Sequence, residues 1–270
     1  MLDNIMSALI TFVVIVLGNE IVKYLERTSD YSCELPETAL RKEFKYDKLV
    51  MILLYTLATV VSMIIGDYTL AVTLGLLAGM GYEDYKKYEV YTIMIDAVII
   101  IDALIYVYGN LSNNAVIIYA LLLAMMYKVS VDFEYDSEGK NRTALNSMMA
   151  VMIAITIFML YNYEIRLVPM SLYILFRILS TECEPLSTLG SGDMLIFIAI
   201  LPILGVWYLC IALLAMAITA ITEFLMIAIK EKIPIKVLRT QKLPLIPHIV
   251  TGFAFAVITR YSGILEVLIH

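Results

Sequence analysis

The sequence predicts an all-α, polytopic transmembrane helix bundle of about 8–10 membrane spans, and three observations carry that prediction. Of its 270 residues, 61% are apolar and only 16% are charged, with a mean hydropathy of +0.87. A soluble globular chain is about half apolar and about a quarter charged, so this one has too few polar side chains to cover a water-facing surface. The apolar residues also fall in runs, such as 5–19, 48–65, 90–108 and 209–229, close to the roughly 20 residues that cross a bilayer. Finally, the basic residues gather in alternate breaks between those runs. Disorder, collagen, a secreted disulfide scaffold and a nucleic-acid-binding domain are excluded. A net charge of −6 makes no case for a polyanionic partner.

Charged residues and Gly, Asn or Pro divide the chain into ten apolar segments: 5–24, 48–65, 67–83, 90–108, 114–131, 146–163, 167–181, 193–208, 210–229 and 248–266. The first follows Asp3 where a secretory signal would carry basic residues, and no small-residue cleavage site comes after it, so it is read as a retained span. Residues 26–47 are the longest polar stretch and lead to the second segment. Gly66-Asp67-Tyr68 makes a tight hairpin into the third, and the charged break Asp84–Glu89 leads to the fourth. An acidic connector, 132–142, separates the fifth from the sixth, and Tyr163-Glu164-Ile165-Arg166 turns the sixth into the seventh. The eighth and ninth are expected to part near Tyr208. There is no internal repeat.

With the N-terminus outside, the inner loops hold residues 25–47, 84–89, 132–145, 182–192 and 230–247. Counting the helix ends beside them, all of the 19 Lys and Arg residues except Arg166 and Arg260 then lie inside. The positive-inside rule demands that asymmetry. The reverse topology would carry nearly all the basic charge across the membrane. The chain is therefore expected in the cell membrane, surrounded by lipid bilayer, with its N-terminus outside.

The chemical repertoire is narrow. Cys33, Cys183 and Cys210 form no CxxC pair, and His248 and His270 are the only histidines. A zinc site needs about four well-spaced ligands, and a Ser-His-Asp or Cys-His site needs a usable histidine. No metal and no cofactor are expected; carboxylates, lysines and tyrosines remain. Acids inside apolar spans default to being functional or paired, which singles out Asp96, Asp102 and Glu223, together with Asp84 and Asp193 at segment ends.

Asp193 closes Gly190-Ser191-Gly192-Asp193 and opens an apolar span. Glycines there permit positive φ and close approach of another chain, and a helix N-terminus favours the ionised carboxylate. Asp84 sits in Gly81-Tyr82-Glu83-Asp84-Tyr85-Lys86-Lys87-Tyr88-Glu89-Val90. By the topology above, both aspartates fall on the inner face. Two carboxylates brought together in a partly dry site share one proton, so one activates water while the other donates to the scissile carbonyl. Each motif alone also has an ordinary account, as a turn into a helix or a charged topological marker. Asp96 and Asp102, six residues apart, sit about 120° apart around a helix and share no face; a buried hydrogen bond to a tyrosine or threonine is their ordinary account.

Taken together, these residues resemble a family. Asp84, followed by Lys86-Lys87 and a new apolar span, is similar to the first catalytic aspartate of the type IV prepilin and archaeal preflagellin peptidases, which are GxGD membrane aspartyl proteases. Ile174–Leu179, Leu189–Leu195 and Leu204–Trp207 resemble that family's second-aspartate region, and Leu243–Phe253 resembles its closing proline-rich element. The similarity covers about residues 67–260. It implies catalytic Asp84 and Asp193, with Gly190, Ser191 and Gly192 as active-site motif. It also implies an endopeptidase that cuts the short basic leader from a pilin-like or archaellin precursor at the cytoplasmic face. Glu83 and Glu89, with the acidic loop Asp132, Glu134, Asp136 and Glu138, would attract such a leader. The aspartates stand farther apart than is usual in the family, as though a hairpin within 114–163 were inserted. The loop matching the family's zinc element holds only Cys33, so the resemblance does not extend to methyl transfer or zinc. Residues 1–66 read as an N-terminal two-helix extension, with cytoplasmic loop 26–47, to a peptidase core over 67–270. This leans towards a prepilin-type archaeal enzyme. The alternatives are an ion-coupled transporter using Asp96, Asp102 and Glu223, and a non-catalytic filament-assembly protein.

Overall fold

The computed structural model describes residues 2–28, 47–88, 91–135, 142–162, 164–180, 191–232 and 243–263. Nine α-helices and one 3-10 turn account for most of these residues, and among them there is no strand. A bilayer offers backbone groups no hydrogen-bond partners, so each spanning segment must satisfy its own, as a helix does. The helices are α1 (Leu2–Thr28), α2 (Asp47–Ile65), α3 (Tyr68–Lys87), α4 (Thr92–Gly109) and α5 (Asn114–Tyr135). They continue with α6 (Arg142–Tyr161), α7 (Val168–Ser180), α8 (Ser191–Glu231) and α9 (Ile246–Tyr261). Among the described residues, stretches in α1, α2, α4, α5 and α8 are long and apolar enough to cross a membrane. Their large apolar side chains point outward, as with Phe12, Leu104 and Trp207, which is the pattern of helices whose surroundings are lipid. The chain is a multi-pass membrane protein.

α8 needs a correction to its sequence reading. Gly205 within it has φ 73° and ψ 168°, backbone angles open essentially to glycine alone. Three residues earlier, Pro202 removes a ladder N–H. The eighth and ninth segments therefore part at Gly205, not near Tyr208.

The chain divides into two compact units, one of residues 1–94 with 204–270 and the other of 95–203. In the first unit, α3 lies at the centre, packed on by α1, α2 and α9. Its small residues permit this. A Cβ on Gly75 would lie 2.9 Å from Val14 Cβ of α1, and one on Gly81 would lie 3.2 Å from Val250 Cγ2 of α9. Without a hydrophobic drive between helices, such close approach and inter-helix hydrogen bonds do the holding. The Thr11 hydroxyl donates to Ser62 Oγ at 2.7 Å, and Ser62 donates onward to the Ala58 carbonyl at 2.8 Å, tying α1 to α2. Thus α1 and α2 belong to the same unit as α3.

Among the glycines the tightest approach is that of α9 to the second half of α8, where a Cβ on Gly252 would lie 2.3 Å from the Ala212 carbonyl oxygen. Backbone cannot yield there as a side chain can. Gly252→Ala is expected to destabilise the protein by about 1–3 kcal/mol, lowering its thermal midpoint in detergent. Gly109→Ala, where a Cβ meets nothing within 4 Å, is the control and should leave the midpoint in place.

The ends of this unit differ in charge. Gly66, at φ 72°, turns α2 into α3 as the sequence predicts. Asp67 caps α3 by accepting from Leu70 N–H at 3.0 Å and also accepts from Tyr261 Oη at 3.1 Å. Tyr68 Oη donates to Asp3 at 2.7 Å. Among the described residues this end carries a single cation, Arg260. The opposite end, where α2 begins and α1, α3 and α8 finish, carries Lys23, Arg27, Lys48, Lys86, Lys87 and Lys230.

In the second unit, α7 packs on α5 and α6. Asp96 of α4 forms a buried ion pair with Arg177 of α7 and accepts a hydrogen bond from Tyr173 Oη at 2.6 Å. The Arg177 guanidinium lies over the Tyr127 ring of α5, 5.5 Å from its centre. Glu164, before the 3-10 turn Ile165–Leu167, accepts from Tyr106 Oη and from Asn113 Nδ2, both at 2.9 Å. Its carboxylate thus ties the α4–α5 turn to the start of α7.

Candidate active site

Asp84 lies in the last turn of α3, which runs on to Lys87. The sequence placed it in the connector that follows. The helix stops at Tyr88, in left-handed conformation at φ 59°, whose N–H donates to the Asp84 carbonyl at 2.7 Å. Extending the helix draws the side chain inward, and Asp84 is 7% exposed.

The partner of its carboxylate comes from far along the chain. Asp84 Oδ2 accepts from the backbone N–H of Ile246 at 2.9 Å. Ile246 opens α9 behind Leu245, which provides no side-chain cap. The first N–H groups of a helix have no partner within it, and Pro247 in the first turn has no N–H at all. Asp84 therefore caps α9 from another helix, and the positive end of the α9 dipole faces its carboxylate. Two of the family-like motifs, the Asp84 segment and Leu243–Phe253, meet in this one contact.

Asp193 is half-buried in the first turn of α8, the helix N-terminus that the sequence predicts. The φ of Gly192 is not positive, and an added Cβ would meet nothing nearer than Ile95 Cδ1 at 4.0 Å. Gly190 and Glu89 lie outside the described residues, as do Asp136, Glu138, Cys33 and Cys183. Ser191 begins α8. Glu83 is 7% exposed, and its Oε2 is 3.3 Å from Lys87 Nζ on the same helix. That pairing competes with any role as a contact for a basic leader.

Sequence reasoning missed a second cluster beside Asp84. His248, two residues after Ile246, is 6% exposed. Its Nε2 lies 3.0 Å from Glu223 Oε2, and its Nδ1 is 3.2 Å from Thr219 Oγ1. These three residues help line a groove of about 410 Å³, with Tyr85, Pro247 and Val50. Glu223 is the one acid of the apolar run 194–229, a cue that the sequence does hold. Asp102 is half-buried on α4. Among the described residues, no three His, Cys, Asp or Glu side chains gather as they would to hold a metal ion.

The first unit therefore presents, at its basic end, a buried carboxylate held by a helix N-terminus beside an open groove. A carboxylate so held can accept and return a proton. No family model, curated protein or solved structure matches the chain.

Proposed function

We propose that this protein is a membrane-embedded aspartyl endopeptidase that removes the short basic leader from type IV pilin-like or archaellin precursors at the cytoplasmic face. The contact between Asp84 and Ile246 N–H carries this reading. It joins two motifs 162 residues apart that resemble the same peptidase family. In the proposed mechanism Asp84 and Asp193 divide the labour: one carboxylate takes a proton from water while the other, protonated, donates to the scissile carbonyl oxygen. The basic end of the first unit, with Lys48, Lys86, Lys87 and Lys230, supports a cytoplasmic site and an N-terminus outside.

The test is co-expression with a precursor bearing a basic leader and an apolar helix, with cleavage seen as a gel shift. Cleavage should leave a product starting at the apolar segment, and an unshifted precursor would reject the assignment. A proton-sharing pair of carboxylates needs no ion, so the purified protein should keep its activity in EDTA. Activity lost to chelation and restored by zinc would replace this mechanism with a metal-dependent one. An ion-coupled carrier remains the alternative, but two of the acids it would use already have partners: Asp96 has Arg177 and Glu223 has His248.

A further inference from the structure

The end of the first unit that carries Asp84 also holds a histidine–glutamate pair for which leader cleavage has no direct use. His248 stands in the first turn of α9, two residues beyond the Ile246 whose N–H holds Asp84. On the facing helix, Thr219 and Glu223 are four residues apart and so share one side of α8. Thr219 Oγ1 hydrogen-bonds the imidazole Nδ1 at 3.2 Å, and Glu223 Oε2 packs 3.0 Å from Nε2. Resting on the protease assignment above, we propose that Glu223, His248 and Thr219 form a positioning device that fixes the first turn of α9 and thereby aims the Ile246 N–H at Asp84.

The need for such a device follows from the local sequence. Leu245 gives α9 no side-chain cap, and Pro247 has no N–H to offer. Helix ends are where fraying begins. The Gly252–Ala212 contact secures α9 only farther along, more than a turn from Ile246. His248 lies in the same turn as Ile246, so an anchor on its ring is also an anchor on that N–H. The imidazole reaches Asp84 only through the backbone, which makes it a positioning residue and not a catalytic one.

The test uses the purified full chain and two variants. His248→Gln keeps an N–H donor near the place of Nε2, whereas His248→Leu fills the volume without one. Displacing a catalytic group by about 1 Å costs up to about a hundredfold, so His248→Leu should lower kcat per folded molecule about tenfold to a hundredfold. KM should stay within about twofold, because His248 is placed outside the groups that hold the substrate's ground state. His248→Gln should restore most of the rate. Hydrogen exchange of the peptide spanning residues 243–250 supplies a readout that needs no activity. His248→Leu should speed exchange at Ile246 about tenfold or more, as expected for loss of a hydrogen bond to a charged group, and leave amides 252–257 unchanged. An unaltered rate at Ile246, equal losses in the two variants, or a loss confined to KM would each overturn the proposal. If the wild-type protein cleaves no leader, the protease assignment fails, and exchange at Ile246 still decides the positioning role.

Discussion

Asp84→Asn and Asp193→Asn are each expected to abolish leader cleavage while the protein continues to accumulate in the membrane. Asparagine keeps the size of aspartate and much of its hydrogen bonding. At position 84 its Oδ1 can still accept from Ile246 N–H, so the α3–α9 contact survives the change. What it cannot do is take up or release the proton. General acid–base groups contribute about 10²–10⁴-fold to rate, and losses of that size fall below a gel-shift assay. The comparison therefore separates proton transfer from architecture at both positions. Full activity in either variant would end the protease assignment.

The largest effect on stability is expected at Asp96 and Arg177. Both side chains are buried and form an ion pair, and Tyr173 donates to the same carboxylate. Removing one partner of a buried pair leaves an uncompensated charge at a cost of about 3–5 kcal/mol. Asp96→Ala should therefore unfold the protein at markedly lower temperature in detergent, and Arg177→Met should do likewise. Asp96→Asn is milder, because its Oδ1 still accepts from Tyr173 and Arg177. An apolar pair of similar volume, Asp96→Leu with Arg177→Met, should recover much of the loss. Cleavage per folded molecule should persist in all of them and in Asp102→Asn. Turnover lost as completely as in Asp84→Asn, with normal folding, would relocate the chemistry to Asp96 or Asp102.

Hydropathy made the helices legible, since long apolar runs have few other fates. It did not reveal their arrangement. The most buried helix of the first unit is α3, which is rich in glycine and threonine and ends in charged residues. The most apolar surfaces, as around Trp207 and Ile229, face outward. In lipid the helix at the centre is marked by small residues, not by apolar ones. The break in α8 was misplaced for a related reason: hydropathy hardly changes between Gly205 and Tyr208, and only the backbone angles at Gly205 locate it. Asp84 and Asp193 stood out as candidates by their places at segment ends and by resemblance. The capping of α9 by Asp84 was not, because an orphan helix N–H finds its partner only when two distant helices meet. The pairing of Asp96 with Arg177, 81 residues away, was hidden for the same reason.

The reach of the Asp84–Ile246 hydrogen bond also orders events in time. The two residues are 162 positions apart, and ribosomes add about 5–20 residues per second. α3 is thus made roughly 8–30 s before α9 can meet it. Through that interval a nascent chain holds its first aspartate without the N–H that aims it, and the groove lacks the wall supplied by Pro247 and His248. On the proposed assignment, a protease assembled in this order stays silent while it is being synthesised, among newly made membrane proteins whose leaders it could otherwise cut. Chains released before residue 246 keep both aspartates, yet they carry no part of α9 and should be inert.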